Sequence, residues 1–92
     1  MHGTMSNETW QIVIDDNVRK AMKRIPFSDA EAVNSVFAEL SANPYSGDIQ
    51  KMKGEENAWR RRVRAYRLFY RVYLDIRTVF AYKLERRTST TY

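Results

Sequence analysis

WRRRVRAYRLFYRVY, from Trp59 to Tyr73, carries the strongest structural signal in the chain, with six arginines and five aromatic residues in fifteen positions. A run rich in aromatic and β-branched residues, with neither proline nor glycine, is typical of β-strands. We therefore expect two antiparallel strands joined by a tight turn at Arg64-Ala65. In such a hairpin, directly opposed residues point to the same side of the sheet.

This pairing separates the hairpin into two chemically different faces. One face collects the apolar and aromatic side chains of Trp59, Val63, Tyr66, Leu68 and Tyr70. The other collects the guanidinium groups of Arg60, Arg62, Arg67 and Arg71. Like charges directly opposed across strands destabilise a sheet by about 0.2–1 kcal/mol per pair. We interpret the arginine face as a surface that binds an anion. Arg61 falls on the apolar face, and we expect it to snorkel or to pair with a helix acid such as Glu39.

The flanking segments predict an α+β domain. Residues 9–14 alternate as a short strand, and apolar stripes at helical spacing predict two helices, the first ended by Pro26 and the second opened by a capping box of Ser28 and Glu31. Residues 43–50 read as a loop, and 76–84 as a last strand after a turn at Leu74-Asp75. The predicted order is β-α-α-β-β-β, with a two-helix hairpin packed on one face of a small antiparallel sheet.

Composition narrows the classes of function. A chain of 92 residues predicts one domain, 9–92, after a disordered or tag-like N-terminus, 1–8. It has no cysteine, and its single histidine, His2, lies in that N-terminal segment, so we expect no metal and no cofactor. We also expect a cytoplasmic protein with no membrane partner, because no apolar run approaches the roughly 20 residues that span a bilayer. Residues 1–46 carry a net charge of −2 and residues 47–92 one of +7, which favours a polyanionic partner for the second half.

The order of elements and several spaced motifs resemble the RelE/ParE toxin superfamily over about residues 9–92. The matching features are a Lys-x-Lys-Gly segment at 51–54, an aromatic-Arg-x-Arg-Val stretch at 59–63, Tyr-Arg-Leu-Phe-Tyr at 66–70, and Arg86-Arg87 followed by Tyr92. The resemblance implies a RelE-like fold and the toxin of a type II toxin–antitoxin pair. It further implies a ribosome-dependent endoribonuclease that cleaves mRNA in the decoding site and inhibits translation. Its partners would be the ribosome with its rRNA, mRNA, and a cognate antitoxin.

Carried over position by position, the resemblance implies a metal-independent site that forms a cyclic phosphate by attack of a ribose 2′-OH on the adjacent phosphate. The implied catalytic residues are Arg60, Arg62, Arg67, Glu85, Arg86 and Tyr92. Arg67 and Arg86 would clamp the phosphate, and Tyr92 would stack on a base. The implied RNA- and ribosome-binding residues are Lys51, Lys53, Arg64, Arg71 and Arg87.

The sequence does not identify the catalytic proton acceptor or the molecular target of the protein. Many relatives carry lysine where Arg60 and Arg62 stand, and a guanidinium is a poor general base. Glu85 and Tyr92 are the candidate acceptors. A ParE-like poison of DNA gyrase, or a binding module that holds RNA or a partner without cleaving, would fit the same composition.

Overall fold

A five-stranded sheet with two helices packed on it is the architecture of this protein in a computed structural model that describes residues 9–87. In chain order the elements are β1 (Gln11–Ile14), α1 (Asp16–Arg24), α2 (Phe27–Ala42), β2 (Ile49–Lys51), β3 (Ala58–Val63), β4 (Tyr66–Tyr73) and β5 (Thr78–Arg86). The predicted α+β class is confirmed. The sheet contains one strand more than predicted, because the end of the expected loop 43–50 pairs with β3 as the short strand β2. The predicted N-terminal segment 1–8 lies outside the described residues.

The strands lie in the order β1-β5-β4-β3-β2. Neighbours from β5 to β2 run antiparallel, whereas β1 pairs with β5 in parallel, with Gln11 opposite Thr78. The helices carry the chain from β1 at one edge of the sheet to β2 at the other, and the antiparallel run β2-β3-β4-β5 then returns it beside β1. Within residues 9–87, neither helix is both long and apolar enough to cross a membrane.

The β3–β4 hairpin has the predicted register. Val63 lies opposite Tyr66 and Arg62 opposite Arg67, with only Arg64-Ala65 between the strands. Arg64 adopts a φ of 56°, in the left-handed region that a two-residue hairpin turn requires and that non-glycine residues seldom occupy. The tight turn therefore forms without glycine, at a local conformational cost that the six cross-strand pairs of this hairpin offset.

The β4–β5 pair contains a bulge that reverses the alternation of β5. Phe69 lies opposite Lys83 but Tyr70 lies opposite Ala81, so Tyr82 is an extra residue on β5. Before the bulge, Ala81 points into the core, and after it Leu84 does so. Residues 83 and 85 therefore face the side of the sheet away from the helices.

The helices pack through the predicted apolar stripes, but the second begins differently from the prediction. Asp15 caps α1, its carboxylate accepting a hydrogen bond from the Asn17 amide at 3.1 Å. The proposed Ser28 capping box is wrong, since α2 starts at Phe27 after Pro26, and Ser28 lies inside its first turn. Proline fixes φ near −65° and needs no amide partner, so it can lead into the helix without a side-chain cap.

The core lies between the helices and one sheet face. It contains Val18, Val33, Val36, Phe37, Leu40, Val63, Leu68, Tyr70, Val72, Val79 and Ala81. We call the opposite side, which carries Arg60, Arg62, Arg67 and Arg71, the helix-free face. Arg61 crosses to the core side as predicted, where its guanidinium lies 2.6 Å from the Glu39 carboxylate and donates to the Ser46 carbonyl at 3.1 Å.

Tyr70 is the largest fully buried side chain of the described residues, and its hydroxyl donates to the Pro44 carbonyl at 2.7 Å. We expect Tyr70→Phe to lower the free energy of unfolding by about 1–2 kcal/mol, because the buried Pro44 carbonyl loses its donor. Urea denaturation at pH 7 measures the change. An unchanged midpoint would contradict the importance of this hydrogen bond.

Tyr70 also makes the stability of the protein depend on pH in the alkaline range. Burial raises the pKa of the Tyr70 hydroxyl well above its ordinary value. The unfolded chain therefore releases this proton at lower pH than the folded chain, and the stability is complete below the unfolded pKa of about 10 and falls as pH rises above it. Tyr70→Phe should make the decline above that pH shallower, which denaturation curves at pH 9–11 would show.

Candidate phosphate-binding cleft

A polar cleft on the helix-free face gathers three of the predicted catalytic arginines. It is lined by Asp48, Gln50, Arg60, Arg62 and Arg67, and we call it the arginine cleft. Strand register explains the clustering, because Gln50 lies opposite Arg60 on β2–β3 and Arg62 lies opposite Arg67 on β3–β4. Three adjacent strands thus contribute to one site.

Arg67 is the cation of the cleft with free hydrogen-bonding capacity. Its side chain is half-buried, and within residues 9–87 it has neither a hydrogen bond nor an ion pair. A guanidinium offers five N–H donors in a planar fork that matches two oxygens of a phosphate. A half-buried and unpaired guanidinium is accordingly suited to bind an anion from solution.

The two arginines of β3 that line the cleft make only solvent-exposed polar contacts within the described residues. The Arg60 guanidinium donates to the Gln50 amide oxygen at 2.6 Å. Arg62 has its Nε 3.7 Å from an Asp48 carboxylate oxygen, and both side chains are more than half exposed. Such solvated contacts are weak, so both guanidiniums can turn toward a bound phosphate at little cost.

Glu85 lies beside the cleft rather than in its lining. It is opposite Arg67 on β5 and faces the same side of the sheet because of the bulge at Tyr82. Its carboxylate lies 3.2 Å from the ammonium of Lys83. The structure therefore brings Glu85 next to Arg67, with its charge already partnered by a lysine.

Arg86 is on the other side of the sheet. It pairs with Tyr66, its guanidinium lies 5.8 Å from the centre of that ring, and both residues line a separate cleft with the end of α1. Arg67 and Arg86 consequently do not form the predicted clamp, because the bulge turns Glu85, and not Arg86, toward the helix-free face. The position predicted for Tyr92 lies outside the described residues.

The five residues predicted to bind RNA have different surroundings. Arg64 pairs with Asp29 at 3.1 Å, and Arg71 pairs with Glu55 at 2.8 Å. Arg87 donates from its side chain to the Arg64 carbonyl at 3.4 Å.

The two predicted lysines lie on and after β2. Lys51 donates to the Glu55 carbonyl, and its register opposite Trp59 directs it away from the arginine cleft. Lys53 is exposed in the turn after β2. Of these five cations, Lys53 alone has no polar contact within the described residues.

Sequence reasoning missed Asp48 and Gln50. Both were assigned to a loop, and only their pairing beside β3 brings them into the cleft: the Arg62 amide donates to the Asp48 carbonyl at 3.0 Å, which continues the β2–β3 ladder. The alternation of Asp48 and Gln50 around Ile49, opposite an arginine-rich strand, was the available signal. In the described part of the chain, no group of three or more acidic or histidine side chains is placed to hold a metal ion.

Comparisons with known proteins agree with this architecture. A family model described as the ParE toxin of type II toxin–antitoxin systems, parDE, matches residues 12–87. A curated protein of Methanocaldococcus jannaschii, named "Putative toxin RelE1", is 28% identical over 81 residues, covering 85% of this chain and 90% of that protein.

Solved structures with the same fold include those of two RelE toxins. The RelE–RelB complex of Pyrococcus horikoshii contains a chain with a TM-score of 0.80 at 23% identity, covering 89% of this chain and 99% of that one. The isolated E. coli RelE toxin has a TM-score of 0.76 at 18% identity, covering 88% and 87%.

Proposed function

We propose that this chain, which belongs to the ParE toxin family of type II toxin–antitoxin systems, is a RelE-like toxin that cleaves mRNA in the decoding site of the ribosome. The observation that carries the proposal is the unpaired Arg67, half-buried in a cleft with Arg60 and Arg62. A poison that acted only through protein contacts would have no need of such a cleft. The likeness to RelE toxins in fold supports the same choice.

The proposed reaction needs charge stabilisation more than any other contribution. When a ribose 2′-oxygen attacks the adjacent phosphorus, negative charge accumulates on the non-bridging oxygens, where preorganised donors have their largest effect. Arg67 supplies paired donors, and Arg60 and Arg62 supply further positive charge. No metal or cofactor is required. Tyr92 remains the proposed stacking residue, and Glu85 and Arg86 remain proposed contributors, Glu85 beside the cleft and Arg86 outside it.

The proposed partners follow from the charge and from the relatives. RelE is bound to RelB in the P. horikoshii complex, and we propose that an acidic antitoxin likewise neutralises this protein in the cytoplasm. The rRNA of the ribosome and the mRNA bound to it are the proposed polyanionic partners. Lys53, which is exposed and without a polar contact within residues 9–87, is the best placed of the predicted RNA-binding residues to hold an RNA backbone.

A translating extract tests this function. Added wild-type protein is expected to produce mRNA breaks within codons at the ribosomal decoding site, with cyclic phosphate ends, and to leave the same mRNA intact when translation initiation is blocked. Primer extension maps the breaks. Intact mRNA in an actively translating extract would refute the proposal.

A ParE-like action on DNA gyrase is the second candidate, favoured by the description of the matching family model. It predicts inhibited supercoiling or trapped DNA breaks when the protein is added to purified gyrase and plasmid. The two candidates make opposite predictions in the two assays, so the pair of experiments assigns the target.

A further inference from the structure

A row of four charged residues crosses the helix-free face. Four residues lie side by side across adjacent strands. The Arg62 backbone N–H donates a hydrogen bond to the carbonyl of Asp48, which directly precedes β2. Strand register places Arg62 of β3 opposite Arg67 of β4, and Arg67 opposite Glu85 of β5. Two guanidiniums occupy the middle and a carboxylate stands at each end. Adjacent strands lie about 4.8 Å apart, so a phosphate bound between the arginines would be within reach of either acid.

The two carboxylates of this row differ in their charged partners and in their position relative to the arginine cleft. Glu85 is 3.2 Å from the Lys83 ammonium and does not line the arginine cleft. Asp48 does line it, and its oxygen lies 3.7 Å from Arg62, beyond ordinary hydrogen-bonding distance. The Asp48 side chain is 72% exposed, so a substrate hydroxyl can reach it.

A negative charge at this place weakens simple phosphate binding. Asp48 repels the anion that Arg60, Arg62 and Arg67 attract, so a cleft that served only to hold RNA would bind more tightly without it. A carboxylate does, however, supply what guanidiniums lack, since its oxygens can accept a proton. Of the groups that line the cleft, Asp48 alone has this capacity.

We propose that Asp48 is the catalytic proton acceptor of the arginine cleft; this rests on the proposed mRNA cleavage. The Asp48 carboxylate takes the proton of the ribose 2′-OH as the 2′-oxygen forms a bond to phosphorus. The bond from phosphorus to the 5′-oxygen breaks, and that oxygen takes a proton from solvent water. The products are a 2′,3′-cyclic phosphate and a free 5′-OH, and Asp48 returns its proton to solvent.

The test compares Asp48→Asn with wild type in single-turnover cleavage of mRNA on programmed ribosomes. The cleavage rate should fall about 100-fold, the lower end of what general-base catalysis contributes. Affinity for the programmed ribosome, measured separately, should stay the same or increase, because a negative charge is lost from a basic surface. Asp48→Glu, which keeps the carboxylate, should retain a tenth or more of the wild-type rate.

Matched variants make the result specific. Asp75→Asn removes the same charge from the exposed β4–β5 turn and should leave rate and affinity unchanged. Glu85→Gln should lose less activity than Asp48→Asn. Thermal melting of each variant confirms that the comparison is between folded proteins.

The outcomes separate the two proposals. A wild-type protein that leaves mRNA intact overturns mRNA cleavage and the role of Asp48 together. With an active wild type, Asp48→Asn cleavage within threefold of wild type overturns Asp48 alone. A fall in affinity for the programmed ribosome that is large enough to explain the lost cleavage rate would also overturn the role of Asp48 as proton acceptor, since Asp48 would then act in binding.

Discussion

Replacing Arg67 by alanine is expected to lower mRNA cleavage in a translating extract by about 100- to 1000-fold, the loss that follows removal of one preorganised donor to a developing negative charge. Arg67 is the group of the arginine cleft whose donors are unoccupied within the described residues. Arg67→Lys should recover only a small part of the activity, because an ammonium lacks the planar fork of a guanidinium. Quantitative primer extension against time gives the rates.

The stability of this variant should change little. Arg67 lies directly opposite Arg62 on one side and Glu85 on the other. Loss of the like-charge repulsion and of the opposite-charge attraction, each worth about 0.2–1 kcal/mol, should leave the free energy of unfolding within about 1 kcal/mol of wild type. Arg19→Ala, which removes a cation from the exposed side of α1, is the control and should keep full activity. If Arg67→Ala cleaves mRNA at the wild-type rate, the arginine cleft is not the active site.

The ion pair between Glu39 and Arg61 should have the largest effect on stability among the polar contacts. The Arg61 side chain is 11% exposed, and Glu39 is its carboxylate partner at 2.6 Å. Glu39→Ala leaves a buried guanidinium with only the Ser46 carbonyl for support. We expect a loss of about 3 kcal/mol in the free energy of unfolding, the lower end for such a change because Glu39 is half exposed. Urea denaturation measures it.

Replacing the arginine of this ion pair should lower the stability less than replacing the glutamate. Arg61→Met keeps an apolar stem of similar length in the core, and the half-exposed Glu39 then regains water. We expect a loss under about 1 kcal/mol, and the difference between the two variants isolates the cost of burying an unpaired guanidinium. Equal losses would mean that packing, and not charge, determines the effect. Gly47 belongs to this arrangement, because a Cβ there would overlap the Arg61 guanidinium.

The hairpin was predictable because two simple rules act on it without interference. Alternation along residues 59–73 assigns each side chain to a face, and a two-residue turn fixes which residues are opposed. Arg61 was assigned to the core side on this basis alone, and its pairing with Glu39 followed from the need to compensate a buried charge. The arginine surface of the site was thus readable from one stretch of sequence.

Asp48 and Arg86 were misjudged for physical reasons that lie outside local sequence. β2 is three residues long, too short for a periodic signal, and it forms because β3 offers an edge for pairing. Arg86 faces the helices because Tyr82 adds one residue to β5. Without that bulge, straight alternation from Ala81 would have placed Arg86, and not Glu85, on the helix-free face.

The parallel pairing of β1 with β5 affects how the protein can be made. Residues 11–14 are synthesised before the other strands but find their neighbours only when residues 78–81 are available. Since contacts distant in sequence form slowly and domains fold as units, the sheet stays incomplete until almost the whole described chain has been translated. A toxin of this topology would complete its sheet, and with it any activity that depends on the folded sheet, only after residues 78–81 have been synthesised.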